Sequence, residues 1–480
     1  MRHHVLPTLA VLAVTATSAL VGPTLSATGQ PAAGAPTTQP DQPNIVVILT
    51  DDQTRIDLEW MPQTRALIAD AGVTFTDAIA PNPLCGPSRA SLLTGQDSHN
   101  TGVHGNDSEQ TLVDHTRLLP SWLHAAGYQT GFTGKYLNRY HASDAGEPGW
   151  DSFSAVTNGA HYFDYTMSNN GDPVHYTDVH VDDTVTDGTT ALIDRFSGDD
   201  PFFVVASYSA PHGVCLPHQP CDDAPVPAAR HADLYPDVVA PQLSKPSFNE
   251  RDMSDKPPRI RRLPRADRAD VQHDFTERIR ALASVDEGVA STVAKLEATG
   301  ELDDTLIVFT SDNGFQLGEH RHTGKVYAYE ESLGVPLLMR GPGVPVGEVR
   351  DRTVTIPDLA PTLAAAAGAK PTLRVDGRDL GPYLRTGRVR PFTAIVESGL
   401  ARNDWTYRGV RTDRYTLVRW RNGTPELYDR QQDPFQLRNV AGSRRYAAVE
   451  GVLERRLDRL STCRGTAACS RVFHGLPDPG

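Results

Sequence analysis

Short unbroken apolar runs alternate along this chain with stretches of helical spacing. Asn44–Thr50 reads NIVVILT, a continuous β-branched and aliphatic run of the kind that forms a strand covered on both faces. Residues 202–206 and 306–310 have the same character. Between them Ile279, Leu282, Val285, Val289, Val293 and Leu296 recur at spacings of three and four, which predicts one helical stripe stopping at Gly300. Strand, helix and strand in that order imply parallel pairing. The expected fold class is therefore α/β: a large mixed, mostly parallel sheet sandwiched by helices. Past about Asp376 the pattern changes, and alternating segments such as Tyr415–Trp420 predict a smaller antiparallel sheet.

The first residues suggest what surrounds this fold. Arg2, His3 and His4 lead into an apolar run over 5–21 and then into small residues around Ser26 and Ala27, the layout of an export signal over 1–28. Pro7 and several Thr and Ser interrupt a run already short for spanning, so secretion is expected rather than stable membrane insertion. Residues 29–42, rich in Pro, Ala, Thr and Gln, read as a disordered spacer. A main domain over 43–385 and a small C-terminal α+β subdomain over 386–480 come next, with ample chain for a cooperative core.

Export places the five cysteines in an oxidising setting. Cys215 with Cys221 and Cys463 with Cys469 are each close enough to close a small loop, which leaves Cys85 alone. The formal charge of −13 argues against a nucleic-acid partner. The basic stretch with Lys256, Arg259, Arg261, Arg262 and Arg265 reads as a solvated loop.

Candidate chemistry sits where two strands end. The first runs into Asp51 and Asp52, and 306–310 runs into Ser311, Asp312, Asn313 and Gly314. Both place oxygen ligands at the carboxyl edge of an α/β sheet, where ligands bind. Adjacent carboxylates repel, and a divalent cation offsets that cost. An all-oxygen set suits calcium or magnesium, whereas zinc favours His and Cys. His320 and His322 read as solvated residues of an exposed charged loop rather than zinc ligands. Gly324-Lys325 is no phosphate loop: the spacing back to Gly318 is one residue too long, and Val326 stands where Ser or Thr would hold the metal.

Cys85-Gly86-Pro87-Ser88-Arg89, followed by Ala90-Ser91-Leu92-Leu93-Thr94-Gly95, resembles the type I sulfatase signature, in which the cysteine is oxidised to formylglycine. The resemblance extends over nearly the whole mature chain. It implies an alkaline phosphatase/sulfatase-like fold, hydrolysis of sulfate esters, calcium with magnesium as the alternative, and a formylglycine-generating enzyme as maturation partner. A sulfate ester is an anion whose sulfur is shielded by negative oxygens, so attack needs a positioned nucleophile and cations. The hydrated aldehyde supplies one hydroxyl to attack sulfur and a second whose deprotonation expels sulfate and restores the aldehyde. The same resemblance assigns Asp51, Asp52, Asp312, Asn313 and the modified Cys85 to the metal. It assigns Arg89 to the hydrated aldehyde, Lys135 and Lys325 to the sulfate, and His212 to the leaving oxygen.

One position departs from many sulfatases: Leu137 stands where they carry a histidine two residues after the first lysine. The stretches 134–138, 300–314 and 335–343 are similar to the N-acetylglucosamine-6-sulfatase branch, and 426–440 resembles the family's closing motif. The implied substrate is a sulfated carbohydrate or aryl sulfate, with 6-O-sulfated N-acetylglucosamine of heparan or keratan sulfate fragments foremost. The long proline-rich segment 213–270 is expected to shape the pocket. A phosphodiesterase or phosphonate hydrolase of the wider superfamily, and a secreted glycan-binding protein without catalysis, are the alternatives.

Overall fold

In the computed structural model Asn44–Thr50 is a fully buried strand near the middle of a ten-stranded sheet. The structure describes residues 42–106, 114–138, 140, 146–157, 161–198, 200–214, 224–401, 404–473 and 475–479. In spatial order the sheet runs Glu348–Arg350, Val73–Phe75, Leu337–Arg340, Thr305–Ser311, Asn44–Thr50, Phe202–Ser207, Gln129–Gly134, Ser152–Thr157, Tyr165–Asn169 and Asp172–Tyr176. From Thr305–Ser311 to Ser152–Thr157 neighbouring strands are parallel, with Ile45 opposite both Leu306 and Phe203. Leu337–Arg340 joins antiparallel on one side, and two antiparallel strands extend the other. The sheet is therefore mixed and mostly parallel at its centre, as the apolar runs predict.

Those runs are continuous because each face has its own core. Val46, Ile48, Val204 and Ile307 pack with Leu282, Val285 and Val289 on one side. Val47, Leu49, Val205 and Val308 pack with Leu92, Trp122 and Leu363 on the other. Successive side chains of a strand point to opposite faces, so a sheet covered on both sides has no polar position to alternate. The helical stripe lies in Arg268–Thr299, which starts at an Asp267 cap accepting from the backbone of Ala269 and Asp270. It ends at Gly300 with φ 79°, the left-handed stop the sequence predicts.

A separate antiparallel sheet is built from Ala394–Ala401, Asp404–Arg411, Tyr415–Trp420 and Pro425–Asp429. Val410 and Leu417 of this sheet pack on Leu453 and Leu457 of the helix Ala447–Leu460. Beyond that helix Cys463 and Cys469 form the disulfide expected from their spacing. The expected export signal, nearly all of the spacer and the Cys215–Cys221 pair lie outside the described residues. No helix among the described residues is long and apolar enough to cross a membrane.

Two expectations are corrected. Lys256 is buried rather than solvated: its ammonium donates to the carbonyls of Gln436 and Leu437 and lies 3.2 Å from Glu250. The arginines of that basic stretch, Arg259, Arg261, Arg262 and Arg265, are exposed as expected. His320 is fully buried, stacked on Tyr329 at 3.9 Å with Nδ1 2.6 Å from Glu250, and His322 is partly buried with Nε2 2.9 Å from the Lys325 carbonyl. Both rings fill aromatic packing sites, a role that local charge pattern does not show.

Candidate active site

The carboxyl ends of three adjacent parallel strands deliver most of the site. After Thr50 the chain turns through Asp51 and Asp52, and Asp52 has φ 69°, a left-handed conformation that Asp tolerates better than most residues. The neighbouring strand ends at Asp312 and Asn313. The backbone N–H of Asp52 donates to Asp312 Oδ1 at 3.1 Å, and Asn313 Nδ2 donates to Asp52 Oδ1 at 2.6 Å, so the two strand ends are tied through their functional side chains. Gly314 follows where a Cβ would fall 2.1 Å from the Glu331 carbonyl, a close approach only glycine permits.

Cys85 opens the buried helix Cys85–Thr94. Pro87 falls in the first turn, where its missing N–H costs no helical bond. The positive end of this helix therefore faces the strand ends, favouring negative charge there. Cys85 Sγ lies 3.4 Å from Asp51 Oδ1 and 2.8 Å from Lys325 Nζ. Arg89, one turn on, reaches Asp312 Oδ2 at 2.8 Å and Ser207 Oγ at 2.9 Å. Lys135 is set by Gly134, whose φ of 113° and absent Cβ let the chain pass the Ser207 carbonyl; its ammonium pairs with Asp51. Lys325 pairs with Asp52. His212 Nδ1 donates to the Gly213 carbonyl at 2.6 Å and Tyr162 donates to the His212 carbonyl at 2.8 Å, which leaves Nε2 facing Asp52 Oδ2 at 3.7 Å.

All nine residues singled out in the sequence thus converge on one place. Ser207 was not among them, although its hydroxyl joins Arg89 to the Lys135 carbonyl. A polar residue closing the apolar run 202–206 was the signal available.

The electrostatics fit a site built for ionic partners. Burial opposes ionisation of Asp51, but Lys135, His212 and Arg89 overcome it and hold the carboxyl well below the usual range. Asp52 is likewise lowered, chiefly by Lys325 against burial. Asp312 goes the other way: burial and the nearby Asp51 charge push it up to about 6. Burial also pushes the Cys85 thiol up and the His212 imidazole down to about 4. Among the buried atoms here without a hydrogen-bond partner are the acceptor Asn313 Oδ1 and the donor Arg89 Nη2. A cation on the first and an anion on the second would satisfy both. Ligand atoms of Asp51, Asp52, Cys85 and His212 lie within 4.8 Å of one another, close enough to share one ion. The two carboxylates of that set, with the Asp312 carboxylate and Asn313 amide bonded to Asp52, offer oxygen donors of the kind that suit calcium or magnesium.

A cavity of 730 Å³ opens onto Asp52, His212 and Lys325, with Gly213, Pro225 and Asp270 from the long segment on its wall. That segment does border the site.

A buried cysteine at a helix head faces acids and cations at the carboxyl edge of a mixed sheet, and the fold is of the alkaline-phosphatase-like class. A solved protein in complex with its substrate D-glucosamine-2-N,6-O-disulfate shares this fold, with TM-score 0.72 and 25% identity, covering 87% of this chain and 97% of that one. Residues 43–369 match the sulfatase family, and 318–463 match the C-terminal region of N-sulphoglucosamine sulphohydrolase. An arylsulfatase of Volvox carteri is 32% identical over 90% of this chain and 77% of its own. An N-acetylglucosamine-6-sulfatase of Capra hircus is 31% identical over 92% and 86%. The chain belongs to the sulfatase family and is a sulfuric ester hydrolase.

Proposed function

We propose that this protein is an exported sulfatase that removes 6-O-sulfate from N-acetylglucosamine units of sulfated glycans, using a formylglycine made from Cys85 by a formylglycine-generating enzyme. The observation that carries the reading is the surroundings of Cys85: a buried free cysteine at a helix head, against Lys325 and Asp51, with Arg89 Nη2 free of hydrogen bonds and 3.7 Å from the same Asp51. A thiol pushed up by burial is a poor nucleophile as it stands, which gives conversion a purpose. Asp51, Asp52, Asp312, Asn313 and the converted side chain would hold calcium, or magnesium in its place. When bound, the ion lowers the proton affinity of an attached hydroxyl and neutralises charge on the sulfate.

The other side chains have separable tasks. Arg89, bonded to Asp312 and Ser207, holds the nucleophile's oxygen through Nη2. Lys135 and Lys325, paired with Asp51 and Asp52, supply the positive charge that meets the sulfate oxygens. His212 Nε2 and Lys325 Nζ are the nitrogens placed to meet the departing ester oxygen. Substrate class is supported by the Capra hircus relative, by the 6-O-sulfate on the ligand of the solved neighbour, and by a 730 Å³ cavity of a size for sugar units. Residues 43–385 form the catalytic part and 386–480 the small subdomain in this reading.

Mass spectrometry of the Cys85 peptide, together with Cys85→Ser, tests it. The expected result is an aldehyde or its hydrate in the wild type, and turnover of N-acetylglucosamine 6-sulfate lowered at least about 10³-fold in the variant with its melting temperature kept. An unmodified thiol in active protein, or substantial turnover by the variant, would overturn the proposed nucleophile.

A further inference from the structure

We propose that Arg278 is a positioning residue for this reaction, holding the Asp52 and His212 loops in one fixed relation. Arg278 projects from the long helix Arg268–Thr299 and is 2% exposed. Its Nη2 donates to the backbone carbonyl of Asp52 at 2.5 Å, and its Nη1 donates to the carbonyl of Pro211, next to His212, at 3.0 Å. The guanidinium plane also lies 4.6 Å from the centroid of Phe315, on the segment just past Asn313 and Gly314. One planar fork therefore touches loops from three different strands, and each loop carries a residue of the site.

A purely structural charge pair would look different. The nearest carboxylate, Asp57, is 3.7 Å away, too far for the bidentate pairing that arginine forms when a carboxylate is its main partner. The short bonds go instead to two main-chain carbonyls at the strand ends. Fixing these carbonyls orients two side chains of the site: the Asp52 carboxylate, which meets Asn313 and Lys325, and the His212 ring, whose Nε2 faces Asp52. Asp52 is in a left-handed conformation that persists only if its surroundings enforce it, and a charged donor on its own carbonyl is such a constraint. Lysine offers one charge centre without the planar fork, so it cannot span both carbonyls in the same way.

The inference rests on the sulfatase reading for its kinetic part and is independent of it for the metal part. Arg278→Lys and the charge-balanced Arg278→Met/Asp57→Asn are compared with wild type by calcium titration calorimetry without substrate, by thermal unfolding, and by turnover of 4-nitrophenyl sulfate and N-acetylglucosamine 6-sulfate. For Arg278→Lys the melting temperature is expected to stay within a few degrees while calcium affinity falls roughly 10-fold or more, as when a group that orients a ligand is lost. Turnover is expected to fall about 10²-fold, as for a small misplacement of reacting groups. The loss is larger on the sugar sulfate, whose poor leaving group depends on the alignment of His212 and Lys325. Unchanged calcium affinity with equal losses on the two esters would make Arg278 a packing residue and overturn the proposal, as would undiminished turnover. If the double variant fails to fold, the Lys variant alone decides. A wild type without formylglycine overturns the sulfatase mechanism, and the calcium titrations still decide the role of Arg278.

Discussion

Two clusters of buried charge lie in this molecule, and they are built differently. Arg411, from the small sheet, is 0% exposed, and all three of its nitrogens are bonded: Nε to Glu330 at 2.8 Å, Nη1 to Asp77 at 3.0 Å, and Nη2 to both carboxylates. Against their burial, Arg411 holds the carboxyls of Asp77 and Glu330 below the usual range. Around Cys85, three carboxylates and three cations are as densely packed, yet Asn313 Oδ1 and Arg89 Nη2 have no hydrogen-bond partner, Nη2 lying 3.7 Å from Asp51, and Asp312 is pushed up to about 6. Every nitrogen of Arg411 is satisfied within the chain. The second cluster leaves polar atoms that an ion could meet, as expected of a functional rather than a structural charge cluster.

The largest effect that would break this contrast comes from Asp312. Asp312→Asn keeps the shape but removes a charge held at some electrostatic cost. Calcium affinity measured by calorimetry is expected to fall, and kcat/KM to drop roughly 10²–10³-fold, while thermal stability holds or rises slightly. A variant with unchanged calcium affinity would refute Asp312 as a ligand. Arg411→Met should do the reverse. Loss of Arg411 leaves Asp77 and Glu330 with only the longer ion pairs of Arg55 at 4.0 and 3.4 Å and of Arg430 at 3.3 Å, and costs about 3 kcal/mol, read from the denaturant midpoint. Turnover per folded molecule should stay within about twofold, since the bonds of Arg411 go to Asp77, Glu330 and Thr353 and not to residues of the site. If Arg411→Met lowered kcat as strongly as Asp312→Asn, the division between the clusters would fail.

Much of the site was legible because its residues sit at the ends of strands whose apolar runs are themselves visible. Asp51, Asp52, Asp312 and Asn313 needed only the rule that ligands gather at the carboxyl edge. Cys85, Arg89, Lys135, His212 and Lys325 needed the family resemblance, since a lone lysine or a Pro-His pair has no pattern of its own. Arg278 could not be read at all: it lies on the polar margin of a helix stripe, and its partners Asp52 and Pro211 are far away in sequence. The burial of Lys256 was hidden for the same reason, because the carbonyls that receive it belong to Gln436 and Leu437. Periodicity reports which face of an element is covered, but it is silent on polar groups satisfied by distant chain.

The smallest predicted effect concerns how the C-terminal segment is held near the site, and it refines the contrast by adding a structural pair that titrates. The His99 side chain is 7% exposed, with Nδ1 2.8 Å from Glu397 of the small sheet and Nε2 3.0 Å from the Cys463 carbonyl. Arg408 meets the same carboxylate at 2.7 Å. Burial disfavours the imidazolium, but Glu397, and then Asp97, outweigh it and raise His99 to about 9. A histidine raised on folding contributes stability that is fully present below its unfolded value near 6.5 and is lost as pH rises through about 9. Unfolding free energy should therefore decline by roughly 1–3 kcal/mol between pH 6.5 and 9.5, a decline that His99→Gln removes. Equal pH slopes in wild type and His99→Gln would show that His99 folds uncharged. The Cys463–Cys469 loop would then be held by its disulfide and by neutral hydrogen bonds, and pH sensitivity near neutrality would pass to the charges around Cys85 and to Glu250, which burial raises to about 7.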